Sequence, residues 1–407
     1  MPIQLHPNIQ ISPFISSGKH ENKQFLIQCE HINYVVSASV KTLIESLISY
    51  QSSNESLVES YFTTTQRKAS EADIIALARQ HIPKELFANV ELPPQRNPFI
   101  FSVTLLPERL LSHVSVLLTP LFNKWFCLIT MIAFIGIHGS LLTQVNQSAA
   151  LGIPIGAIPT FILAMLLSYF IHELGHISAC QRYNCPHGGI GFGIYLVFPV
   201  FYADVSKAWR LSQRQRAVVD LGGLYFQSIL IIAVDCYAYF TASQLAYVLS
   251  WTITLTMLHT LNPFFKFDGY WLLSDLSGIT NLHDKMRTAL VRVKNKIFHR
   301  TPLNFNQDRA LYLLIPYSIL ATMFFIYVAT FLSRKLWQTG QEITLAFSQI
   351  QGNSLFESFT LMLEQDALFP LLKTIMWAIL FVLLLSFYLK RIKNLLIQGD
   401  NLETRHK

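Results

Sequence analysis

Two histidines and a glutamate in residues 172–176 have the types and spacing of a metal centre. His172 and His176 are four residues apart, and a helix turns about 100° per residue, so both imidazoles lie on one helix face and can bind one ion. Glu173 follows the first histidine and is placed to act on a water held by that ion. Such sites bind zinc, which polarises a peptide carbonyl and activates water. The segment therefore predicts a zinc-dependent hydrolytic centre that needs a third ligand and an open fourth position.

Asp268 is the candidate for that third ligand. It lies in the sequence LNPFFKFDGYW, which ends an apolar run just as the histidines end another. If both runs cross a membrane in the same direction, their ends meet at one depth. Asn262 and Pro263 are expected to end the preceding helix and turn the aspartate towards the metal, because proline cannot continue a helix. Asp275 is an alternative ligand nearby, but it lacks this motif context.

Six apolar runs are long enough to cross a membrane as helices. The chain has 407 residues, of which 52% are hydrophobic and 14% charged. About 20 apolar residues in a helix span the roughly 30 Å hydrocarbon core. The runs are residues 125–142, 153–171, 221–240, 245–261, 311–332 and 367–389. The fold class predicted is mainly α, a polytopic helical membrane protein with about six transmembrane helices.

The placement of the positive charges predicts the orientation of these spans. The net charge is +7, and Lys and Arg are frequent in residues 182–216, in residues 266–309 and in the tail from Lys390. Residues 143–152 and 241–244 contain neither. This alternation follows the positive-inside rule and places both termini in the cytoplasm. Membrane topology accounts for the net positive charge. The lipid bilayer is therefore a predicted partner and nucleic acid is not.

The chain divides into four predicted regions. Residues 1–95 are polar and form a small α+β domain, residues 96–124 a linker with an interfacial segment, residues 125–390 the membrane-embedded domain and residues 391–407 a cytoplasmic tail. In the first region we predict strands at residues 24–30 and 33–37 and helices at residues 37–50, at residues 54–62 and from Ser70. This order is typical of a winged-helix-like unit.

Several other reactive residues have structural explanations. Asp235 lies within the third predicted span and is assigned a buried, hydrogen-bonded role. His259 is assigned to packing and His187, beside a proline and a glycine, to the surface. Cys180 and Cys185 lack the second pair of ligands that a metal knuckle requires, so they are predicted to be ordinary thiols.

A glycine-rich segment follows the histidines. Gly188, Gly189, Gly191 and Gly193 lack the lysine and hydroxyl residue of a phosphate-binding loop. A hairpin that dips into the membrane near the zinc and holds an extended substrate strand is the favoured interpretation. Gly191 and Gly193 are therefore candidate substrate-binding residues.

HELGH followed by an NP-x4-DG element resembles the site-2 protease superfamily of intramembrane zinc metalloproteases. The resemblance implies that His172, His176 and Asp268 bind one Zn²⁺ per chain and that Glu173 is the catalytic acid and base. In the commoner family element two residues separate the asparagine from the proline, whereas Asn262 directly precedes its proline here. Asn262 is therefore predicted only as a candidate substrate-binding residue. Many members also insert a PDZ domain, and this sequence has no segment long enough for one.

Two longer strings narrow the resemblance. Residues 191–223 and 262–282 are similar to the bacterial branch of peptide zinc metalloproteases, which often occur with peptide-biosynthesis or export genes. The amino-terminal region is more weakly similar to the PqqD-like element that binds leader peptides by strand addition. The resemblance thus implies maturation of a ribosomally made peptide at a bacterial cytoplasmic membrane, with a peptide exporter as a partner. Regulatory cleavage of a single-span protein and a non-catalytic transport or immunity accessory role are the alternatives.

Overall fold

The structure is a computed structural model that describes residues 4–14, 24–30, 32–53, 55–92, 99–144, 155–195, 198–279 and 311–349. Isolated residues between 281 and 293 and between 375 and 386 are also described. The chain forms two compact units. The first comprises residues 1–195 and 199–278, and every predicted site residue lies within it. The second comprises residues 196–198 and 279–407.

An antiparallel sheet of three strands opens the first unit. Strands β1 (Ile9–Phe14), β2 (Gln24–Cys29) and β3 (Ile32–Ser37) lie in that order, with β2 in the centre. The sequence predicts β2 and β3 but not β1. Pro13 lies within β1, and a proline argues against a strand in sequence-based prediction. An edge strand such as β1 nevertheless tolerates it.

Three helices cover this sheet. They are α1 (Ala38–Ser52), α2 (Leu57–Thr65) and α3 (Glu71–His81), and a serine side chain caps the amino terminus of each. The start of α3 directly after Ser70 agrees with the capping pattern in the sequence. The helices and sheet share one apolar core, whose fully buried members include Ile27, Ile44, Leu47, Ile74 and Leu86.

A second sheet of three strands lies near the predicted site. Strand β4 (Phe99–Leu106) leads into helix α4 (Glu108–Leu118). Strands β5 (Ile190–Tyr195) and β6 (Phe198–Ala203) come much later in the chain. The order is β4-β5-β6, with β5 in the centre and β4 antiparallel to it. Part of the predicted linker therefore pairs with the glycine-rich hairpin.

Long apolar helices form the membrane region of the first unit. Helix α5 (Lys124–Ala133) continues through a π-helical turn (Phe134–His138) into α6 (Gly139–Gln144). Helices α7 (Ile158–Arg182) and α8 (Gln213–Thr241) cross closely, because glycines face each other at the crossing. A Cβ atom added to Gly175 would lie 2.2 Å from the carbonyl oxygen of Gly222. Only small residues allow this approach.

Two shorter helices complete the first unit. Helix α9 (Gln244–Thr260) runs into a turn, and α10 (Asp268–Ser277) follows. The second unit contains α11 (Leu311–Gln349), which includes Pro316.

Within the described residues, four helices are long and apolar enough to cross a membrane. They are Lys124–Leu141, Ile158–Arg182, Gln213–Thr241 and Leu311–Gln341. These helices indicate a membrane protein, and they coincide with the first, second, third and fifth predicted spans. The fourth predicted span forms α9, whose 17 residues give roughly 26 Å of helix, which is short for the hydrocarbon core. The sixth lies mostly outside the described residues.

Candidate metal centre

The predicted histidines lie side by side in the interior of α7. His172 is 8% exposed and His176 is 6% exposed. Their ring centroids are 4.8 Å apart and the rings are nearly perpendicular. The helical spacing of four residues thus brings both imidazoles to one point, where α7 crosses α8.

Three ligand atoms converge at this point. The Nε2 atoms of His172 and His176 are 3.1 Å apart, and the Oδ2 atom of Asp268 lies 2.9 Å from the first and 3.3 Å from the second. Ligands held about 2.0–2.1 Å from a tetrahedral zinc ion lie roughly 3.3 Å from one another. The spacing of the three atoms therefore fits a zinc ion, and two nitrogens with one carboxylate oxygen form a donor set that zinc accepts.

The far side of each imidazole is hydrogen-bonded to an acceptor on α8. The Nδ1 atom of His172 lies 3.0 Å from Oε1 of Gln227, and that of His176 lies 2.7 Å from the carbonyl oxygen of Val219. Acceptors at these positions require the proton on Nδ1 and leave the Nε2 lone pairs directed at the common point. Without a cation those lone pairs would repel each other, so the donor set itself favours a bound metal.

A further hydrogen bond holds the Gln227 amide in its orientation. Its Nε2 atom donates to the hydroxyl of Ser168 on α7, at 3.1 Å. The carbonyl end of the amide must then face His172. Sequence reasoning did not find Gln227, although a glutamine inside an apolar run that also contains Asp235 is a sign of a buried polar contact.

The turn between α9 and α10 brings Asp268 to the histidines. The side chain of Asn262 accepts a hydrogen bond from the backbone N–H of Phe264, at 2.9 Å, and so stabilises the turn. A Cβ atom on Gly269 would lie 2.0 Å from the carbonyl oxygen of Leu261. Glycine is therefore required next to the aspartate. These contacts explain the NP-x4-DG element by backbone geometry, and they give Asn262 a structural contact within the turn.

The Asp268 carboxyl is strongly favoured in its ionised form. Burial by itself raises the pKa of a carboxyl, but the imidazoles of His176 and His172 outweigh burial and hold the pKa of Asp268 well below its usual range. An ionised carboxylate is suited to bind a cation.

Glu173 lies beside the three ligands and contacts the second sheet. Its carboxylate accepts a hydrogen bond from the backbone N–H of Ala203, the last residue of β6. This contact brings one end of an edge strand to the predicted catalytic side chain.

Gly191 and Gly193 lie in β5, the central strand of the second sheet. A Cβ on Gly191 would lie 2.4 Å from the Tyr202 ring, and one on Gly193 would lie 2.9 Å from the Phe101 carbonyl oxygen. Both glycines make room for packing inside the sheet. Since β5 has a neighbouring strand on each side, an added strand would have to pair with β4 or β6.

Asp275 is not among the three converging ligand groups and forms an ion pair instead. Its Oδ1 atom lies 2.8 Å from both Nε and Nη2 of Arg216. The alternative ligand therefore has a guanidinium partner. Arg216 is only 4% exposed, although it belongs to the basic segment 182–216 that the positive-inside rule places in the cytoplasm.

The other reactive residues take different positions. Asp235 is fully buried and bonds to His138 and Ser250, the hydrogen-bonded role predicted for it. His259 packs against the Phe267 ring, with centroids 5.1 Å apart. His187 is 2% exposed, so its predicted surface position is wrong: its Nδ1 atom lies 2.8 Å from the carbonyl oxygen of Gly188.

The two neighbouring cysteines, Cys180 and Cys185, are buried free thiols. The choice of ordinary thiols over a metal knuckle stays a prediction.

The chain is similar over part of its length to a protein of Bacillus subtilis (strain 168) named "Putative peptide zinc metalloprotease protein YydH". The two are 29% identical over 114 residues, which cover 28% of this chain and 45% of that protein. The chain thus spans less than half the length of this relative. No protein-family model matches the chain, and no solved structure matches it.

Proposed function

We propose that this protein is a membrane-embedded zinc metalloprotease of the site-2 type, which hydrolyses peptide bonds near the cytoplasmic boundary of a bacterial membrane. The convergence of His172, His176 and Asp268 beside Glu173 is the observation that carries the proposal. The partial similarity to a protein named as a peptide zinc metalloprotease supports the same class.

Each side chain has a separate part in the reaction. A bound zinc ion supplies Lewis acidity, which activates water and polarises the scissile carbonyl. The two histidines and Asp268 would hold the ion. Glu173 takes a proton from the attacking water and delivers it to the leaving amine. The backbone N–H of Ala203 holds the glutamate carboxylate in place until a substrate arrives.

An extended peptide is the substrate form that suits this site. A helical peptide hides its carbonyl groups in its own hydrogen bonds, whereas an added strand exposes the bond to be cut. The outer edge of β6 ends at Glu173, so a strand paired with β6 would bring its backbone towards the ligands. We propose a ribosomally made peptide as the substrate, with its leader bound by the amino-terminal domain and its product passed to an exporter.

Replacing Glu173 with Gln tests the mechanism. The variant should keep one zinc per chain, because Glu173 is not a ligand. It should lose cleavage by at least about 10²–10⁴-fold, the usual contribution of a positioned acid or base. The measurements are metal content and peptide cleavage by the full chain in detergent micelles. Glu108→Gln, an exposed change in α4, is the matched control and should retain both; full activity of Glu173→Gln contradicts the mechanism.

The substrate class is tested with two probes, an amphiphilic leader-bearing peptide and a protein with one membrane span. Cleavage of the peptide alone supports maturation, and cleavage of the single-span protein alone supports regulatory proteolysis. Zinc binding without turnover of either probe would contradict catalysis on both and favour a peptide-binding accessory role.

A further inference from the structure

The amino-terminal domain contacts the membrane-embedded part through the end of strand β1. Phe14, the last residue of β1, is 5% exposed. Its ring stacks on Trp209 with centroids 6.5 Å apart and an interplanar angle of 24°. The guanidinium carbon of Arg216 lies 4.8 Å from the Phe14 ring centre and 5.3 Å from that of Trp209. The guanidinium therefore has a ring from each part of the chain against it.

Arg216 connects this contact to the helix that carries the third ligand. It lies in the first turn of α8, where its Nη1 donates to the carbonyl oxygen of Leu211, at 2.9 Å. Its Nε and Nη2 atoms both reach Oδ1 of Asp275 on α10. The Asp220 carboxyl also lies beside Asp275 and within the electrostatic reach of Arg216. The buried guanidinium thus pairs with one carboxyl and lies within electrostatic reach of a second.

Two residues of helix α10 contact the Arg216 guanidinium or a residue that surrounds it. Asp275 is one and Trp271 is the other, since the Trp271 and Trp209 rings are nearly perpendicular with centroids 6.1 Å apart. Asp268 is the first residue of the same helix, and Asp275 follows it by about two turns. A shift or rotation of α10 would therefore move the Asp268 carboxylate relative to the two imidazoles.

The first turns of α8 carry a second link to the metal centre. The Val219 carbonyl that fixes the His176 ring is three residues beyond Arg216 in α8. A displacement of this turn would disturb one histidine as well as the aspartate.

We propose that Arg216 is a positioning residue for Asp268. Through the contact of Phe14 with Arg216, the position of the amino-terminal domain then affects the geometry of the metal centre. The proposal rests on the zinc site proposed above. The domain that would hold a leader peptide then also regulates the zinc site, because any movement of β1 that withdraws Phe14 loosens Arg216 and through it α10.

The size of the expected effects follows from the contacts. Groups hydrogen-bonded directly to metal ligands typically change metal affinity by about 10–100-fold when they are altered. Arg216 acts on Asp268 through Asp275 and α10, so its replacement should weaken zinc binding by about 10-fold, at the low end of that range. Phe14 acts one step further away through an aromatic contact with a cation, so its loss should weaken zinc binding by roughly 2–10-fold. Phe14→Leu keeps the apolar volume, and Arg216→Lys keeps the charge while it removes the flat guanidinium.

The experiment compares two arginines that join the same two parts of the chain. Arg210 is exposed and bonds to Gln28 at 2.8 Å and to Gln10 at 3.0 Å, both in the amino-terminal sheet. Neither contact touches α10. Arg216→Lys, Arg210→Lys and Phe14→Leu are made in the full chain, and their zinc affinity is measured by chelator competition in detergent micelles. The visible spectrum of bound Co²⁺ reports the ligand geometry, and circular dichroism reports the fold.

The expected result is that Arg216→Lys loses about 10-fold in zinc affinity and changes the Co²⁺ spectrum, with Phe14→Leu intermediate. Arg210→Lys should stay within about twofold of the parent chain. Unchanged affinity in folded Arg216→Lys, or equal losses in both arginine variants, would overturn the proposal. If Arg216→Lys does not fold, Phe14→Leu decides: its loss of affinity supports the coupling and parent-like affinity refutes it. Absence of zinc from the parent chain would instead refute the proposed function.

Discussion

At the scale of single residues, the candidate metal centre depends on which ring nitrogen of each histidine carries the proton. The acceptors on α8, the Gln227 amide and the Val219 carbonyl, select the form with Nε2 free. Of the two, the amide can be changed by mutation.

Replacing Gln227 with Leu should weaken zinc binding by about 10–100-fold, because His172 then loses the acceptor that fixes its protonated nitrogen. Chelator competition on the purified chain measures the affinity. Ser168→Ala, which removes only the partner of the amide nitrogen, should have a smaller effect. Equal affinities of Gln227→Leu and the parent chain would show that the hydrogen bond at Nδ1 is unimportant.

The candidate metal ligands can be predicted from the sequence, while the residues that support them cannot. Histidine and aspartate are rare near membrane spans, so residue type and spacing predict His172 and His176. The apolar run and the NP-x4-DG element favour Asp268 over Asp275 as the third ligand. Gln227 and Arg216 act on residues 55 and 59 positions away in the chain. Nothing in their local sequence names those partners, since tertiary packing alone brings them into contact.

At the scale of elements, the close crossing of α7 and α8 is what allows one helix to carry the ligands and the other their acceptors. Gly175, Gly222 and Gly223 lie at the crossing, and a Cβ on Gly223 would lie 2.5 Å from the His172 ring. Small residues at a helix crossing are a general means of close packing in membranes.

Gly175→Ala should therefore force the helices apart, lower the midpoint of thermal unfolding and weaken zinc binding. The added methyl group would meet backbone atoms of Gly222, which have no rotamer through which to yield. Gly136→Ala makes the same chemical change where nothing lies within 4 Å, and it should be neutral or stabilising by up to about 1 kcal/mol. Thermal unfolding and metal content of both variants test this, and equal behaviour of the two would contradict the close crossing.

The elements differ in how well the sequence predicts them. Long apolar runs predicted α5, α7, α8 and α11 because the bilayer imposes a length on every spanning helix. Strand β4 was missed because its partner, β5, lies almost a hundred residues further along the chain. Pairing between strands so far apart in the chain produces no periodic pattern in the local sequence.

At the scale of the whole molecule, a membrane protein must join its helices without the hydrophobic effect that drives soluble folding. One buried polar cluster joins three segments here. His138 of the π-helical turn lies 2.8 Å from Asp235 of α8, and Ser250 of α9 also donates to this carboxylate. Thr254 lies 3.1 Å from the other ring nitrogen of His138.

The hydrogen-bond directions within the cluster assign its protons. The Thr254 hydroxyl donates to the Ser250 carbonyl oxygen, so it accepts from Nε2–H of His138. The Nδ1 atom of that ring faces the Asp235 carboxyl, and the two groups must share one further proton. Asp235 and His138 therefore form a pair with no net charge, which lowers the cost of burying them in the bilayer.

Removing one member of the pair should cost more stability than removing both. Asp235→Leu leaves His138 buried without its carboxylate and should destabilise the fold by about 3–5 kcal/mol, while Asp235→Leu combined with His138→Leu should recover most of that loss. Unfolding in detergent micelles measures both variants, and metal content serves as the control because the cluster contributes none of the three zinc ligands. A single variant as stable as the parent chain, or a double variant less stable than Asp235→Leu, would show that the pair does not join these helices.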